Sequence, residues 1–435
     1  MLKRKLFFAI EKIKLWLNKK GTQKVLTNFT WLSIFQLVEK VVPLITIPYL
    51  LRIIGIEKWG LITFALSFIQ YFNTFVDYGF NVTGVREVSL NQENQDKLNE
   101  IFSNIILIKL VFLIIGFLIY LAIIISFKKF YYEIIVFLLT FGWVIGQAIF
   151  PLWFFQGMEK MKFSTILSSV AKIIFLILIF LFVKKESDYL LVPLFNSSGM
   201  IIAGTIGTLI AIFNFKIKIK IPKLSNMIKI LKDGGKVFIS NLFISFYTNT
   251  RVFALGLFTN NTVVGYYGIA EKIAFYIGMP FGLFAQAMYP RISNLYGNNK
   301  EKFMKLIKYL NIGAFLWGIF IFIIGILFSD FLVYILTGKP ITYETKFSLI
   351  LLLVGSSFVQ ANTFRIQYFL ATGKFGIYTI IHIVSGIIGM ILIFFLSYLY
   401  SYKGTAISVA LIEGMIVILS FVLFNINKKE ERYEK

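Results

Sequence analysis

The chain has 435 residues, of which 58% are apolar and only 15% charged, against about 25% charged in an ordinary soluble domain. Roughly 250 side chains therefore seek to leave water, more than soluble cores with polar skins can hide, and a soluble protein is excluded. The 44 Lys and Arg outnumber the 21 Asp and Glu to give a net charge of +23, but they lie between apolar runs, where they meet an anionic membrane surface and not nucleic acid.

In chain order, residues 1–27 come first. Leu6, Ile10, Ile13 and Leu17 recur at helical spacing among Lys3, Arg4, Lys5, Lys12, Lys14, Lys19 and Lys20. This predicts a basic helix lying in the cytoplasmic interface; the uninterrupted apolar stretch of a secretory signal is missing. Apolar segments follow at about 28–51, 59–81, 101–126, 131–156, 163–183, 189–213, 236–258, 263–290, 303–328, 344–370, 375–399 and 403–425. Each is long enough to span, so the reading is an all-α polytopic membrane protein of about 12 transmembrane helices. The basic stretch 214–235 falls at mid-chain and divides an N-terminal six-helix lobe, 28–213, from a C-terminal one, 236–425. Within it Phe215 to Ile221 alternates apolar residues with lysine, read as a headgroup-facing linker in preference to a strand. Residues 426–435 form a basic tail. Lysine and arginine concentrate in the leader, the linker and the tail, which places both termini in the cytoplasm.

Two pieces recur. Trp59-Gly60-Leu61-Ile62-Thr63-Phe64-Ala65 parallels Val264-Gly265-Tyr266-Tyr267-Gly268-Ile269-Ala270, and Trp153-Phe154-Phe155-Gln156-Gly157 resembles Tyr368-Phe369-Leu370-Ala371-Thr372-Gly373. The positions match a parallel repeat of the two lobes.

The chemistry open to the chain is narrow. It has no cysteine, so disulfides and thiol chemistry are excluded. There is no GxxxxGK[ST], GxSxG or HExxH motif, the aspartates are scattered, and no external loop exceeds about 15 residues. A transporter is favoured over an enzyme, with no cofactor and no metal site. Polar stripes run along the second span (Ser67, Gln70, Asn73 or Thr74, Asp77, Asn81), the seventh (Asn241, Ser245, Thr248) and the tenth (Ser356, Gln360, Thr363, Gln367). They suit a wet central cavity between the lobes, although for any single such residue bonding between neighbouring helices is the stronger reading. Embedded cations are Lys40, Lys109, Lys172, Arg251, Lys272 and Arg365, with Arg52, Arg86 and Arg291 near span ends; embedded anions are Glu39, Asp77, Glu271 and Glu413. Excess positive charge fits an anionic substrate, and guanidinium forks fit phosphate in particular. Snorkelling to headgroups competes for the three span-end arginines. His382, amid isoleucines, is expected to make an interhelical hydrogen bond, and Pro280 between Gly278 and Gly282 marks a kink or hinge.

The run Pro48-Tyr49-Leu50-Leu51-Arg52-Ile53-Ile54-Gly55-Ile56-Glu57-Lys58-Trp59-Gly60 resembles the start of the Wzx-type polysaccharide flippases. So do Asp77-Tyr78-Gly79-Phe80, Gly84-Val85-Arg86-Glu87, Gly256-Leu257, Val264 to Ile273 and Pro290-Arg291-Ile292-Ser293. These flippases belong to the MATE-like multidrug/oligosaccharidyl-lipid/polysaccharide exporter superfamily. The resemblance implies two six-helix lobes around a cavity that opens alternately to each side. It also implies a substrate, an oligosaccharide repeat unit on undecaprenyl pyrophosphate, moved to the outer leaflet of the bacterial inner membrane for O-antigen or capsule synthesis. By motif position it carries Arg52, Arg86 and Arg251 over as substrate-binding residues. Lys172, Lys272, Arg291 and Arg365 join them from the span map. Asp77, Glu271 and Glu39 are the candidates for coupling to an H+ or Na+ gradient. The partners so implied are the lipid-linked oligosaccharide, membrane lipids and a polysaccharide polymerase. A multidrug cation antiporter or a peptidoglycan-precursor flippase on the same scaffold is the alternative, and a polymerase or ligase lacks the large external loop it would need.

Overall fold

The computed structural model describes residues 20–221 and 224–433; residues 1–19 of the expected leader helix lie outside that range. The described chain is a succession of helices with no strand among the described residues. They are α1 (Lys20–Ile53), α2 (Gly55–Asp77), α3 (Phe80–Leu90), α4 (Gln95–Ser126), α5 (Lys128–Tyr131), α6 (Ile134–Ile149), α7 (Leu152–Gly157) and α8 (Met161–Phe182). After a 3-10 turn come α9 (Leu191–Phe213), α10 (Leu224–Thr248), α11 (Thr250–Phe258), α12 (Asn261–Asn298), α13 (Lys300–Leu327), α14 (Ser329–Thr337), α15 (Tyr343–Ala371) and α16 (Phe375–Tyr433). Every expected span falls on helix apart from short internal breaks at 78–79, 132–133, 150–151 and 249, and nine of the described stretches are long and apolar enough to cross a membrane. The last two expected spans merge in α16, broken only at Ser401, whose φ of 55° and ψ of −138° are not helical. Asparagine sets several starts: Asn94, Asn260 and Asn299 accept from the backbone N–H three residues on, at 2.9–3.0 Å, satisfying donors the first turn leaves orphaned.

Helix α4 shows which way the chain is turned. Its buried residues include Asn99, Ser103, Asn104 and Lys109, while Ile114 and Leu118 are about 60% exposed. A water-soluble helix arranges these the other way round. The chain is a multi-pass membrane protein.

The packing forms two compact units. Unit 1 takes residues up to Thr46 with Phe75–Lys184 and Leu190–Phe238; unit 2 takes Ile47–Thr74, Lys185–Tyr189 and Ile239 onward. In unit 1, α9 packs on α6 and α8, and α3 on α7. The core holds Phe80, Val88, Phe102 and the repeated piece Trp153-Phe154-Phe155. In unit 2, α15 is the hub, packed on α12, α13 and α16, and the other copy of that piece, Tyr368-Phe369, lies in the core. The first repeated piece has a different fate, because both its copies meet inside unit 2. A Cβ on Gly60 would stand 1.8 Å from the Asn261 carbonyl oxygen, and one on Gly265 2.4 Å from that of Ile56. These glycines let α2 and α12 touch backbone to backbone, as small residues do between membrane helices.

The stretch Asp77-Tyr78-Gly79-Phe80 is a hinge point of the chain trace. Tyr78 and Gly79 have φ of 47° and 83°, and a Cβ on Gly79 would lie 2.8 Å from the Val237 side chain. Two left-handed residues in succession end α2 and start α3, which only a glycine accommodates cheaply.

After a turn at 214–215 and a left-handed Lys216 (φ 54°), residues 217–221 run on with neither helix nor strand. Asn99 Oδ1 and Ser103 Oγ on α4 accept from the backbone N–H groups of Lys218 and Lys220 at 2.8 and 2.9 Å. Ile217 is buried and Ile221 nearly fully exposed, so alternation here records side chains of a helix acting as the partner a sheet would supply. Helix α10 begins at Leu224, ahead of the expected span start at 236, because its first turns are helix-forming but polar and invisible to hydropathy.

Candidate functional site

Each unit holds its own set of membrane-embedded charges. In unit 1, the break after α2 leaves Asp77 at a helix end, where Asn81 Nδ2 donates to its Oδ1 at 2.7 Å. Lys109 on α4 sends its Nζ to 3.8 Å from the same carboxylate and to 3.3 Å from the Gln147 carbonyl on α6. The lysine side chain is 3% exposed and the aspartate 17%, so the pair is withdrawn from solvent and each partner is the other's compensation. A second pair, Lys172 Nζ with Glu39 Oε2 at 3.5 Å, borders a small cavity of about 110 Å³ that Gln147 and Asn196 also line. Gln147 thus bonds the first pair by its carbonyl and lines the cavity beside the second.

In unit 2, Arg251 stands in the first turn of α11, its Nε donating to the Thr248 carbonyl at 3.1 Å. Its guanidinium lies 3.9 Å from Glu271 on α12, with side chains only 20% and 24% exposed. Glu413 on α16, Tyr247 and Tyr267 are within electrostatic reach of the same guanidinium. One cation therefore faces two carboxylates. The Tyr267 hydroxyl is buried with no hydrogen-bond partner among the described residues.

The other expected site residues separate. Arg52 is exposed at the end of α1 and donates from Nη2 to the Ile335 carbonyl at 2.7 Å, covering the last turn of α14, where a cation is favoured. Arg365 donates to Ala361 of its own helix at 3.3 Å and lies over the Phe421 ring, 5.4 Å from its centroid, a cation–π placement. Lys272 and the exposed Arg291 have no carboxylate partner among the described residues. Arg86 is 74% exposed beside Glu87. The structure thus joins Asp77 to Lys109, Glu39 to Lys172 and Arg251 to Glu271, with Glu413 within electrostatic reach of Arg251. Lys109 and Glu413 stood among the embedded charges of the sequence without an assigned role; depth alone marks a charge but does not name its partner.

The tenth-span stripe has another use. Ser356 Oγ, Gln360 Nε2 and Gln367 Nε2 of α15 donate to the carbonyls of Ala274, Gly278 and Ala285 of α12 at 3.5, 3.3 and 2.7 Å. These are interhelical bonds, the packing reading of such a stripe. Replacing Gln367 with leucine is expected to cost about 0.6 kcal/mol and at most about 2, read as a small downward shift in thermal unfolding of the purified protein. His382 bonds within its own helix instead of across helices, Nδ1 lying 2.7 Å from the Tyr378 carbonyl, since that carbonyl four residues back is already within reach. Helix α12 runs on through Pro280.

Among the described residues the chain is all-helical, with embedded charges in each of two units, and its fold is shared with solved transporters. One is the lipid II flippase MurJ in an inward closed conformation (TM-score 0.68, 17% identity, covering 91% of this chain and 87% of that one). Another is a multidrug resistance MATE family transporter of the MOP superfamily, facing inward (TM-score 0.67, 14% identity, covering 93% and 99%). The family described as polysaccharide biosynthesis protein matches residues 25–296, and the MatE family matches 237–395. The chain belongs to the polysaccharide biosynthesis protein family. It is 29% identical over 404 residues to a protein of Escherichia coli (strain K12) named as an O-antigen transporter, covering 92% of this chain and 97% of that one. A Shigella dysenteriae protein of the same name is 28% identical, with 86% and 94% covered.

Proposed function

We propose that this protein flips oligosaccharide repeat units linked by pyrophosphate to a polyprenyl carrier, of the O-antigen or capsule kind, from the cytoplasmic to the outer leaflet. The membrane is the bacterial inner membrane, both termini face the cytoplasm, and the cycle is alternating access driven by an H+ or Na+ gradient. The observation that carries the reading is the match, over 97% of its length, to a relative named for O-antigen transport. The charge inventory supports it. Arg365, Lys272 and Arg291 have no carboxylate partner among the described residues, which leaves cationic capacity for a phosphorylated headgroup. A multidrug antiporter shares the fold, but fold alone assigns no substrate.

Energy coupling is assigned to unit 2. Arg251 is paired with Glu271, and Glu413 lies within electrostatic reach of the same guanidinium in a mostly buried space, so one carboxyl group there is in excess of the cation and is open to a proton or a sodium ion. Asp77 and Glu39, each already matched by a lysine, are the other candidates.

The test is reconstitution. Proteoliposomes holding the purified chain and a fluorescent polyprenyl-pyrophosphoryl oligosaccharide are expected to move the label from an inner to an outer leaflet, faster under an imposed ion gradient. Failure to move it, while an organic dye cation is extruded, would replace the flippase by the antiporter.

A further inference from the structure

A cavity of about 490 Å³ lies within unit 1, away from the embedded charge pairs. It is framed by the end of α3, the first turns of α4 and the first turns of α10, and its volume is that of a small-ligand site. Four cations line it, Arg86, Lys97, Lys229 and Lys232, against two carboxylates, Glu87 and Glu100. Both carboxylates are already engaged: Glu87 by Arg86 at 3.4 Å, and Glu100 by Lys97 at 3.0 Å and by Asn226 Nδ2 at 2.5 Å. Lys229 and Lys232, exposed on successive turns of α10, have no carboxylate partner among the described residues. Among the described residues the pocket therefore has two ammonium groups without a carboxylate partner.

Its floor makes a second demand. Asn104 is 1% exposed; its Nδ2 donates to the Glu100 carbonyl at 2.7 Å, and its Oδ1 is buried with no hydrogen-bond partner among the described residues. A buried acceptor left unpaired costs about 1–3 kcal/mol, and an oxygen at the floor of a cavity is satisfied by a ligand that brings a hydroxyl or an amide N–H. Two free cations at the rim and an acceptor at the floor ask for one molecule with both features. A pyrophosphate diester of a sugar has them, with one ionised oxygen on each phosphorus and hydroxyls on the ring.

We infer that this cavity is a loading site that takes the pyrophosphate and first sugar of the substrate, with Lys229 and Lys232 on the phosphates and Asn104 Oδ1 on the sugar. The inference rests on the proposed flippase function. It adds residues for which the embedded charges have no use, and it gives Arg86 a position at the cavity wall, held by Glu87.

The experiment uses the full chain in phosphatidylcholine nanodiscs and a soluble short-chain probe, farnesyl-pyrophosphoryl-N-acetylglucosamine, titrated calorimetrically. The double variant Lys229→Gln/Lys232→Gln is expected to bind about tenfold or more weakly, the loss of charge-assisted hydrogen bonds. Its unfolding temperature should stay that of the wild type, because both lysines are exposed. Lys229→Arg/Lys232→Arg should keep binding. Asn104→Leu should weaken the sugar-bearing probe and leave farnesyl pyrophosphate unaffected. Unchanged binding in the double glutamine variant overturns the site. Loss of probe affinity in phosphatidylglycerol nanodiscs does so too, since the pocket would then be held by a phospholipid headgroup. Transport separates this inference from the function it rests on. If the wild type flips the long-chain substrate and the glutamine variant binds and flips as well, only the loading site falls; if the wild type neither binds nor flips, both fall.

Discussion

Replacing Lys109 with methionine is expected to destabilise the folded chain by about 3–5 kcal/mol, the cost of leaving a buried carboxylate without its cation. Besides that lysine, Asp77 is held by the Asn81 side chain and by the backbone N–H groups of Gly79 and Asn81, and neutral donors do not neutralise a charge. The double variant Asp77→Asn/Lys109→Met removes both charges and should recover most of the loss, because apolar or neutral replacements of a buried ion pair are often tolerated. Thermal unfolding of the wild type, Asp77→Asn, Lys109→Met and the double variant, four purified proteins, measures the coupling as a double-mutant cycle. Transport is the second readout. A buried pair is a poor source of stability, so its presence at a helix break points to a use in the cycle. The double variant is accordingly expected to fold but not to flip its substrate. Full transport by a stable double variant would remove Asp77 from the coupling candidates.

The helical segments were legible because hydropathy reports the property that membrane insertion selects, and every expected span falls on helix apart from short internal breaks. Boundaries were less so. Leu224 begins a helix among lysines that hydropathy reads as linker, and Asn94, Asn260 and Asn299 fix starts by a local cap that needs no apolar pattern. The repeat was visible in Trp59-Gly60 and Val264-Gly265, but sequence similarity could not tell that the two copies pack on each other. Charge partners were illegible for a related reason. Glu271 adjoins Lys272 in sequence yet faces Arg251, because neighbours on a helix point apart and the partner comes from another element. The stripe of Ser356, Gln360 and Gln367 was seen, and its use was not, since carbonyls of α12 do not appear in a list of side chains.

The second large effect is expected at Arg251. Arg251→Met leaves Glu271 and Glu413 in one mostly buried space without a cation, and should cost about 3–5 kcal/mol of stability together with all transport. Glu413→Gln should do something different. Arg251 keeps Glu271 at 3.9 Å and its bond to the Thr248 carbonyl, so the fold survives with unfolding temperature unchanged or raised. What disappears is the carboxyl group in excess of the cation. If that excess is where the driving ion binds, the variant still takes up lipid-linked oligosaccharide in proteoliposomes, but its flipping rate no longer responds to an imposed H+ or Na+ gradient. Measuring rate against gradient for wild type, Glu413→Gln and Glu271→Gln assigns the coupling carboxylate directly. Loss of gradient dependence in either glutamine variant, with binding retained, places coupling beside Arg251. Gradient dependence in both returns it to unit 1, where Asp77 and Glu39 are the embedded carboxylates left to carry it.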